Sequence, residues 1–536
     1  MIAPMHIAAL AIAIMSPAQD QQKVPLYDGL GDHQHEISTR VPLAQKYFDQ
    51  GIRLTYAFNH PEAIRSFEEA ARLDPSCAIC WWGSAFAYGP NINAPMDEAA
   101  GVKAHEAISK ALALISGASE QEQAYIRALA KRYSNRSAAQ NPARDSAYAR
   151  AMAELSKSYP ADDDAQVLWA DAVMNLSPWD YWMSKQEPKP MMAQAIRALE
   201  TVLERNPDHA GACHLFIHTV EEAQPQRAVP CAERLAALMP GAGHIAHMPG
   251  HIYIRVGRYA DAIDRNIHAT HADNAIMNDI APDGIYRIGY VPHNHHFMWF
   301  AATLAGRSEL ALNAAEQTAK IAVPELASVP SVQQFMVTPL FANVRFERWD
   351  AILSAPEPTA GPYPKAMYRY ARAVALAAKG RVQDARREHA MMRDIMKDPS
   401  LAESLVGFNS PISVLEIAEA VTEGEIAARE KSWDDAIRAL QRATALEDEQ
   451  TYGEPPDWHL PVRQTLGSVL IAAGKPAEAE KAFREDLERF PENGWSLLGL
   501  ARSLEAQDRS AEANEVRARF EKAFQDAASA RELMKY

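Results

Sequence analysis

Residues Gly51 to Pro75 read GIRLTYAFNHPEAIRSFEEAARLDP. From Gly51, small or aromatic residues recur at +12 (Ala63), +16 (Phe67) and +19 (Ala70), and Pro75 follows at +24. The same ruler laid from Gly467 meets Ala479, Phe483 and Pro491 at +12, +16 and +24. Laid from Gly250 it meets Ala262 and Ala269 at +12 and +19, with Tyr253 at +3. Small residues at the origin and at +12 let the two helices of a hairpin approach closely. The larger residue at +16 fills the gap to the next hairpin, and the proline stops the second helix.

This is the spacing of a tetratricopeptide array, about 34 residues per helix–turn–helix unit. Weaker copies are marked by Gly306 with Ala311, Gly380 with Ala385, Trp433 to Ile437 (WDDAI) and Asp508 with Ala513. Residues 165–207 read as one repeat split by the insertion Ser177 to Pro190 (SPWDYWMSKQEPKP). A single hairpin cannot bury its apolar face, so the repeats are expected to stack into a right-handed superhelical solenoid whose first helices line a concave groove. No useful period-2 run appears, so the expected class is all-α. The Pro-rich stretch Ser354 to Pro364 (SAPEPTAGPYP) suggests a boundary between an array at 40–353 and a second at 365–536, the latter ending in a capping helix from Ala527.

The chain has 536 residues and a formal charge of −15, which argues against nucleic acid as the main partner because phosphate binding needs a basic surface. A charged fraction of 23% beside a hydrophobic fraction of 48% marks a folded protein. No apolar run of membrane-spanning length follows the N-terminal region. Ile7 to Met15 (IAALAIAIM) precedes Ser16-Pro17-Ala18, which suits an export signal at residues 1–18 and a periplasmic or secreted protein. The first Lys or Arg is Lys23, a departure from the signal pattern; the alternative is an apolar tail on a cytoplasmic protein.

Eleven of the 18 histidines fall between His209 and His296, where even spreading would put about three. On the repeat ruler, His244, His247 and His251 stand 13, 10 and 6 residues before Gly257, and His293 and His296 stand 13 and 10 before Gly306. Spacings of 3 and 4 share one helix face. His214 and His218 form an i, i+4 pair in the preceding repeat, with Glu221 and Glu222 one turn on. Neutral imidazole is the commonest nitrogen ligand for transition metals. The seven histidines 214, 218, 244, 247, 251, 293 and 296 are therefore the candidate ligands for one or two ions. Glu221 or Glu222 is the candidate ligand or general base. Copper or iron suits an all-nitrogen site with oxidase or oxygenase chemistry, and zinc suits hydrolysis. Two other readings stand beside this one: a polar groove that binds an acidic or aromatic ligand, and histidines that fill the stack. His209, His268, His271 and His295 fall off the common face and are expected in solvent or behind the ligands.

The segments Cys77-Ala-Ile-Cys80-Trp-Trp-Gly83, Gly89-Pro-Asn-Ile-Asn-Ala-Pro-Met96, Gly243-His-Ile-Ala-His-Met-Pro-Gly-His-Ile-Tyr253, Pro292-His-Asn-His-His-Phe297 and Tyr452-Gly-Glu-Pro-Pro-Asp-Trp458 resemble a poorly characterised bacterial family of tetratricopeptide proteins. The resemblance spans most of residues 40–510. It implies a repeat fold with a histidine-lined central groove, and no reaction. It also implies that neither His295 nor His459 is a ligand.

Cys80 is followed by Trp81, not His, which disfavours haem attachment, and no second CxxC completes a zinc site. A Cys77–Cys80 disulfide is the default in an exported chain. Cys213 and Cys231 lie on the two helices of one repeat and read equally as a pair or as two buried thiols. Gly89 to Met96 and the insertion's Trp179, Tyr181 and Trp182 read as a lid over the groove or as packing on a neighbouring helix. Asp279 to Tyr290 (DIAPDGIYRIGY) lies between two histidine repeats, and its Tyr286, Arg287 and Tyr290 are candidate substrate contacts. P-loop, GxGxxG, GxSxG and HExxH motifs are absent. The sequence thus predicts a solenoid with a transition-metal site in its groove, acting, if it is an enzyme, on a small organic or peptide substrate, with a peptide- or protein-binding scaffold, or metal storage and delivery, as alternatives.

Overall fold

The computed structural model describes residues 24–133, 140–279, 286–325 and 332–527. The expected export signal, the middle of the Asp279 to Tyr290 segment and most of the expected C-terminal cap lie outside these residues. The chain divides into two compact units, residues 1–252 with 268–287, and residues 253–267 with 288–536. The Pro-rich stretch 354–364 falls inside the second unit, between helices Trp349–Ser354 and Pro362–Ala378.

Both units are built from tetratricopeptide-type helical hairpins, and the same packing device recurs in each. In the first, helices Pro42–Tyr56 and His60–Leu73 form a hairpin against Ala78–Ala87. A Cβ on either Gly51 or Gly83 would overlap the ring of Phe67, which is fully buried. In the second, a Cβ on Gly467 or Gly499 would overlap the ring of Phe483. The +16 aromatic therefore sits between glycines of its own hairpin and the next, as its spacing predicts. Burying such a ring stabilises by on the order of 2–3 kcal/mol through the apolar surface removed from water. Gly424 uses Leu440 in the same way.

The turns inside the hairpins share one geometry. Phe58, Gly257, Gly306, Glu347, Gly380, Lys431, Gly474 and Asp508 all have φ between 52° and 79°. The N–H that follows each donates to a carbonyl five residues back, as Asn59 N to Leu54 O at 2.9 Å and Lys475 N to Leu470 O at 2.9 Å. These are left-handed C-terminal caps that satisfy carbonyls orphaned at the end of the first helix.

The insertion 177–190 adds the one strand pair among the described residues, Trp182–Ser184 antiparallel to Glu187–Pro188. Strands this short leave no period-2 signal to read. Two disulfides form, Cys77–Cys80 and Cys213–Cys231; the second ties helix Ala210–Val220 to helix Val229–Leu238. No described helix is long and apolar enough to cross a membrane.

Candidate metal centre

The site in the first unit begins at helix Ala210–Val220. His209 starts it: its Nδ1 accepts the Ala212 N–H at 3.2 Å, a side-chain cap. Four and eight residues into the helix region, His214 and His218 project from one face. His214 Nδ1 donates to the carbonyl of Tyr56 at 2.6 Å. A neutral imidazole has one N–H, so this bond fixes the tautomer and leaves a bare lone pair on Nε2. Gly211 makes the approach possible, because a Cβ there would come within 2.6 Å of the Tyr56 ring.

His214 Nε2 lies 3.1 Å from His244 Nε2, and His247 Nε2 lies 2.8 Å from His251 Nε2. Two nitrogens bound to one ion at 2.0–2.1 Å stand about 2.9 Å apart at a right angle and about 3.3 Å apart at the tetrahedral angle. One ligand nitrogen from each of His214, His218 and His244 falls within 4.8 Å of the others, as do ligand atoms of His218, Glu221 and His251. His218 Nε2 is buried with no hydrogen-bond partner. Its Nδ1 lies 3.5 Å from Glu221 Oε1, while His251 Nδ1 lies 2.9 Å from Glu221 Oε2. Glu221 is completely buried and faces two imidazoles; Glu222 is half-buried.

His244, His247 and His251 do not share an uninterrupted helix. Helix Gly243–His247 ends at Met248 and a second begins at Pro249, which has no N–H to continue the ladder. The break leaves the His247 and His251 nitrogens in contact all the same.

All five imidazoles are buried, none more than 3% exposed. Burial, and then the neighbouring imidazoles, hold His214, His218 and His244 well below the ordinary histidine range, so they stay neutral ligand forms. Phe58 covers them. Its ring centroid lies 4.4 Å from His214, 5.5 Å from His244 and 6.0 Å from His218, nearly parallel to the last two. Trp179 meets His218 edge-on at 5.1 Å. Trp179 also donates Nε1–H to Ile92 O at 3.1 Å, and Trp182 donates to Thr219 O at 2.9 Å. The insertion and the Gly89–Met96 loop are thus joined to each other and seated on the histidine helix.

A second cluster was not read from the sequence. Asp164 is faced by His33 Nε2 at 3.1 Å, His35 Nδ1 at 2.6 Å and His209 Nε2 at 3.3 Å, and it accepts the Tyr56 hydroxyl. His209 spends its Nδ1 lone pair on Ala212, so its Nε2 carries the proton and cannot ligate. This is a carboxylate held by donors, not a metal site. Burial alone would raise the Asp164 pKa, but His33, His209 and His35 together hold it well below the carboxylate range. Tyr56 connects the two clusters, hydroxyl to Asp164 and carbonyl to His214. The His33-x-His35 spacing was the available signal. His209, expected in solvent or behind the ligands, is buried within this network.

Tyr286 is buried and donates its hydroxyl to Asp273 at 2.7 Å; Arg287 is exposed. Tyr290, His293 and His296 belong to the second unit. There His296 lies flat on Trp299 at 5.0 Å and His293 meets Phe297 edge-on at 5.5 Å. His459 stacks on Phe341 at 4.0 Å and faces the Tyr370 hydroxyl at 3.3 Å.

The chain matches no family model and no curated protein. Among solved structures it aligns with the TPR domain of P58(IPK) at 12% identity over 87% of this chain and 99% of that one, TM-score 0.23. It aligns with the human IFIT1 dimer with PPP-AAAA at 12% identity over 88% of each chain, TM-score 0.34. Yeast Tom70 aligns at 11% identity over 92% of this chain and 96% of that one, TM-score 0.27. Likeness at this level carries no functional argument; the fold assignment stands on the hairpins and their glycine–aromatic packing.

Proposed function

We propose that His214, His218, His244, His247 and His251, with Glu221, form a transition-metal centre of one or two ions, copper or iron before zinc. On this reading the protein is a metal-dependent catalyst, oxidase or oxygenase before hydrolase, acting on a small organic or peptide substrate. The observation that carries the reading is the commitment of His214 Nδ1–H to a backbone carbonyl, with His218 Nε2 buried and unpartnered beside it. Backbone or carboxylate acceptors behind imidazoles are the usual means of aiming the other nitrogen at an ion. An ion bound there supplies Lewis acidity or redox chemistry. Glu221 holds the His218 and His251 rings in register and is the base nearest the cluster. Phe58 and Trp179 exclude water from it. His293 and His296 remain proposed contributors on their repeat register, and Tyr286, Arg287 and Tyr290 proposed substrate contacts. The two disulfides support maturation in an oxidising compartment, as the N-terminal run suggests.

The second reading is a scaffold that binds a peptide or protein partner, or a store for metal. Its support is the hairpin array itself, and the fact that 2.8–3.1 Å between imidazole nitrogens also suits an N–H···N hydrogen bond. Elemental analysis of untagged protein separates the readings. Stoichiometric copper, iron or zinc, lost in a His214→Gln/His218→Gln double variant that keeps its melting transition, supports the centre. Metal-free protein that takes up none of the three on titration leaves the scaffold. Turnover by the loaded form distinguishes enzyme from store.

A further inference from the structure

Tyr56 is the last residue of helix Pro42–Tyr56, and the turn after it does not use its carbonyl. The N–H groups of Ala57, Phe58 and Asn59 return to the carbonyls of Arg53, Leu54 and Thr55. None of these bonds holds Tyr56 O, although it is the acceptor that sets the His214 tautomer. What holds it is the rest of residue 56. The ring packs on helix Ala210–Val220 at Gly211, where a Cβ would come within 2.6 Å. The hydroxyl, at the far end of the same ring, donates to Asp164 Oδ1.

Asp164 is itself fixed from several sides. It stands in the first turn of helix Asp163–Met174, where unpaired N–H groups favour a carboxylate. Its Oδ2 accepts His35 Nδ1–H at 2.6 Å, and His33 Nε2 stands 3.1 Å from Oδ1. Arg53, on the Tyr56 helix, donates Nε–H to His33 O at 2.6 Å, so the segment that covers Asp164 is bound back to that helix. His209, which caps the histidine helix, faces Oδ1 at 3.3 Å. One carboxylate therefore meets the histidine helix twice, at its start through His209 and at His214 through Tyr56. A buried carboxylate is costly, and a well-packed apolar side chain often stabilises a core as well or better. Directional bonds serve register instead, and the register here ends on the His214 ring.

We infer that Asp164 is a positioning residue of the histidine centre: through the Tyr56 hydroxyl it holds the Tyr56 carbonyl against His214 Nδ1–H, and so keeps His214 Nε2 aimed at the cluster. The inference takes its purpose from the proposed metal centre, but the ring orientation it requires exists with or without an ion.

Two-bond proton–nitrogen correlation spectra of the full chain, isotope-labelled at histidine and free of metal, read the tautomer. His214 is assigned from the His214→Gln spectrum, and the wild type is expected in the Nδ1–H form. Tyr56→Phe deletes one oxygen and keeps both ring and carbonyl. It should lower the ratio of Nδ1–H to Nε2–H about tenfold, the weight of one hydrogen bond. Asp164→Asn should lower it at least as far. Ile108→Ala, buried in helix Glu98–Ala113 outside this network, should lower the melting temperature and leave the ratio unchanged. In a copper titration Tyr56→Phe should bind about tenfold more weakly than wild type. The inference is overturned if the wild type lacks the Nδ1–H form, if Tyr56→Phe keeps the wild-type ratio, if Ile108→Ala shifts it as far, or if wild type and Tyr56→Phe hold copper equally tightly. If the wild type takes up no metal while the ratio still follows Tyr56, the metal centre fails and Asp164 keeps its role in fixing the ring. Tyr56→Phe is the gentler change, so it decides the matter even if Asp164→Asn misfolds.

Discussion

The turn at Phe58 in the first unit and the turn at Gly474 in the second have the same backbone and different uses. Both hold a left-handed residue, φ 55° and 75°, capped by the same 2.9 Å bond. At Gly474 a side chain would meet nothing within 4 Å, and glycine fills the position at no steric cost. At Phe58 the chain tolerates an aromatic residue where one is disfavoured by about 1–2 kcal/mol, and the ring lies on three histidines. The lesson is that the array fixes the backbone and leaves the turn residue free to serve a site.

The comparison can be broken most forcefully at what the units share. Phe67→Ala and Phe483→Ala should each cost about 3–5 kcal/mol in urea denaturation. A loss confined to one of them would mean that the two glycine–aromatic sandwiches are not equivalent. Next comes what they do not share. Glu221→Gln should weaken metal binding about 10- to 100-fold by competition titration, while Glu347→Gln leaves it unchanged. Equal affinities would remove Glu221 from the centre.

The turns themselves give smaller effects. Gly474→Ala should destabilise by about 1 kcal/mol. Phe58→Gly should relieve a similar strain but give up burial of the ring, for a net loss of about 1–3 kcal/mol, and should speed release of a bound ion, read by chelator kinetics. If the variant changes stability and leaves the release rate unaltered, the ring has no function at the cluster.

The smallest effect is a slope. Burial, then Arg345, holds His459 well below 6.5. As pH falls through 6.5 the unfolded chain takes up a proton that the folded one refuses, so stability drops. Asp164 acts in the same sense over a lower range. Its depressed pKa contributes stability above the ordinary 3.8 that is lost only as pH falls lower. His459→Gln should therefore make melting temperature less dependent on pH between 6.5 and 4, read by thermal melts across that range.

The repeat ruler was legible because the contact between Gly51 and Phe67 is a rule of close approach within one hairpin, repeated along the chain. The His214/His218 pair was legible for the same local reason. Phe58, Tyr56 and Asp164 were not: they reach the cluster from distant segments, and nothing in an isolated turn or helix shows what will stack on it. Pro249 was visible, but the helix break it causes was overlooked because the histidine spacing still fitted one continuous face. Glu222 looked as suitable as Glu221 until burial separated them.

Trp179 stands with its indole edge 5.1 Å from His218, inside the latch it makes with Ile92. That places a natural fluorophore against the cluster. Copper or iron bound there would quench its emission, whereas zinc would leave it bright, so a titration in a cuvette can report uptake without any label.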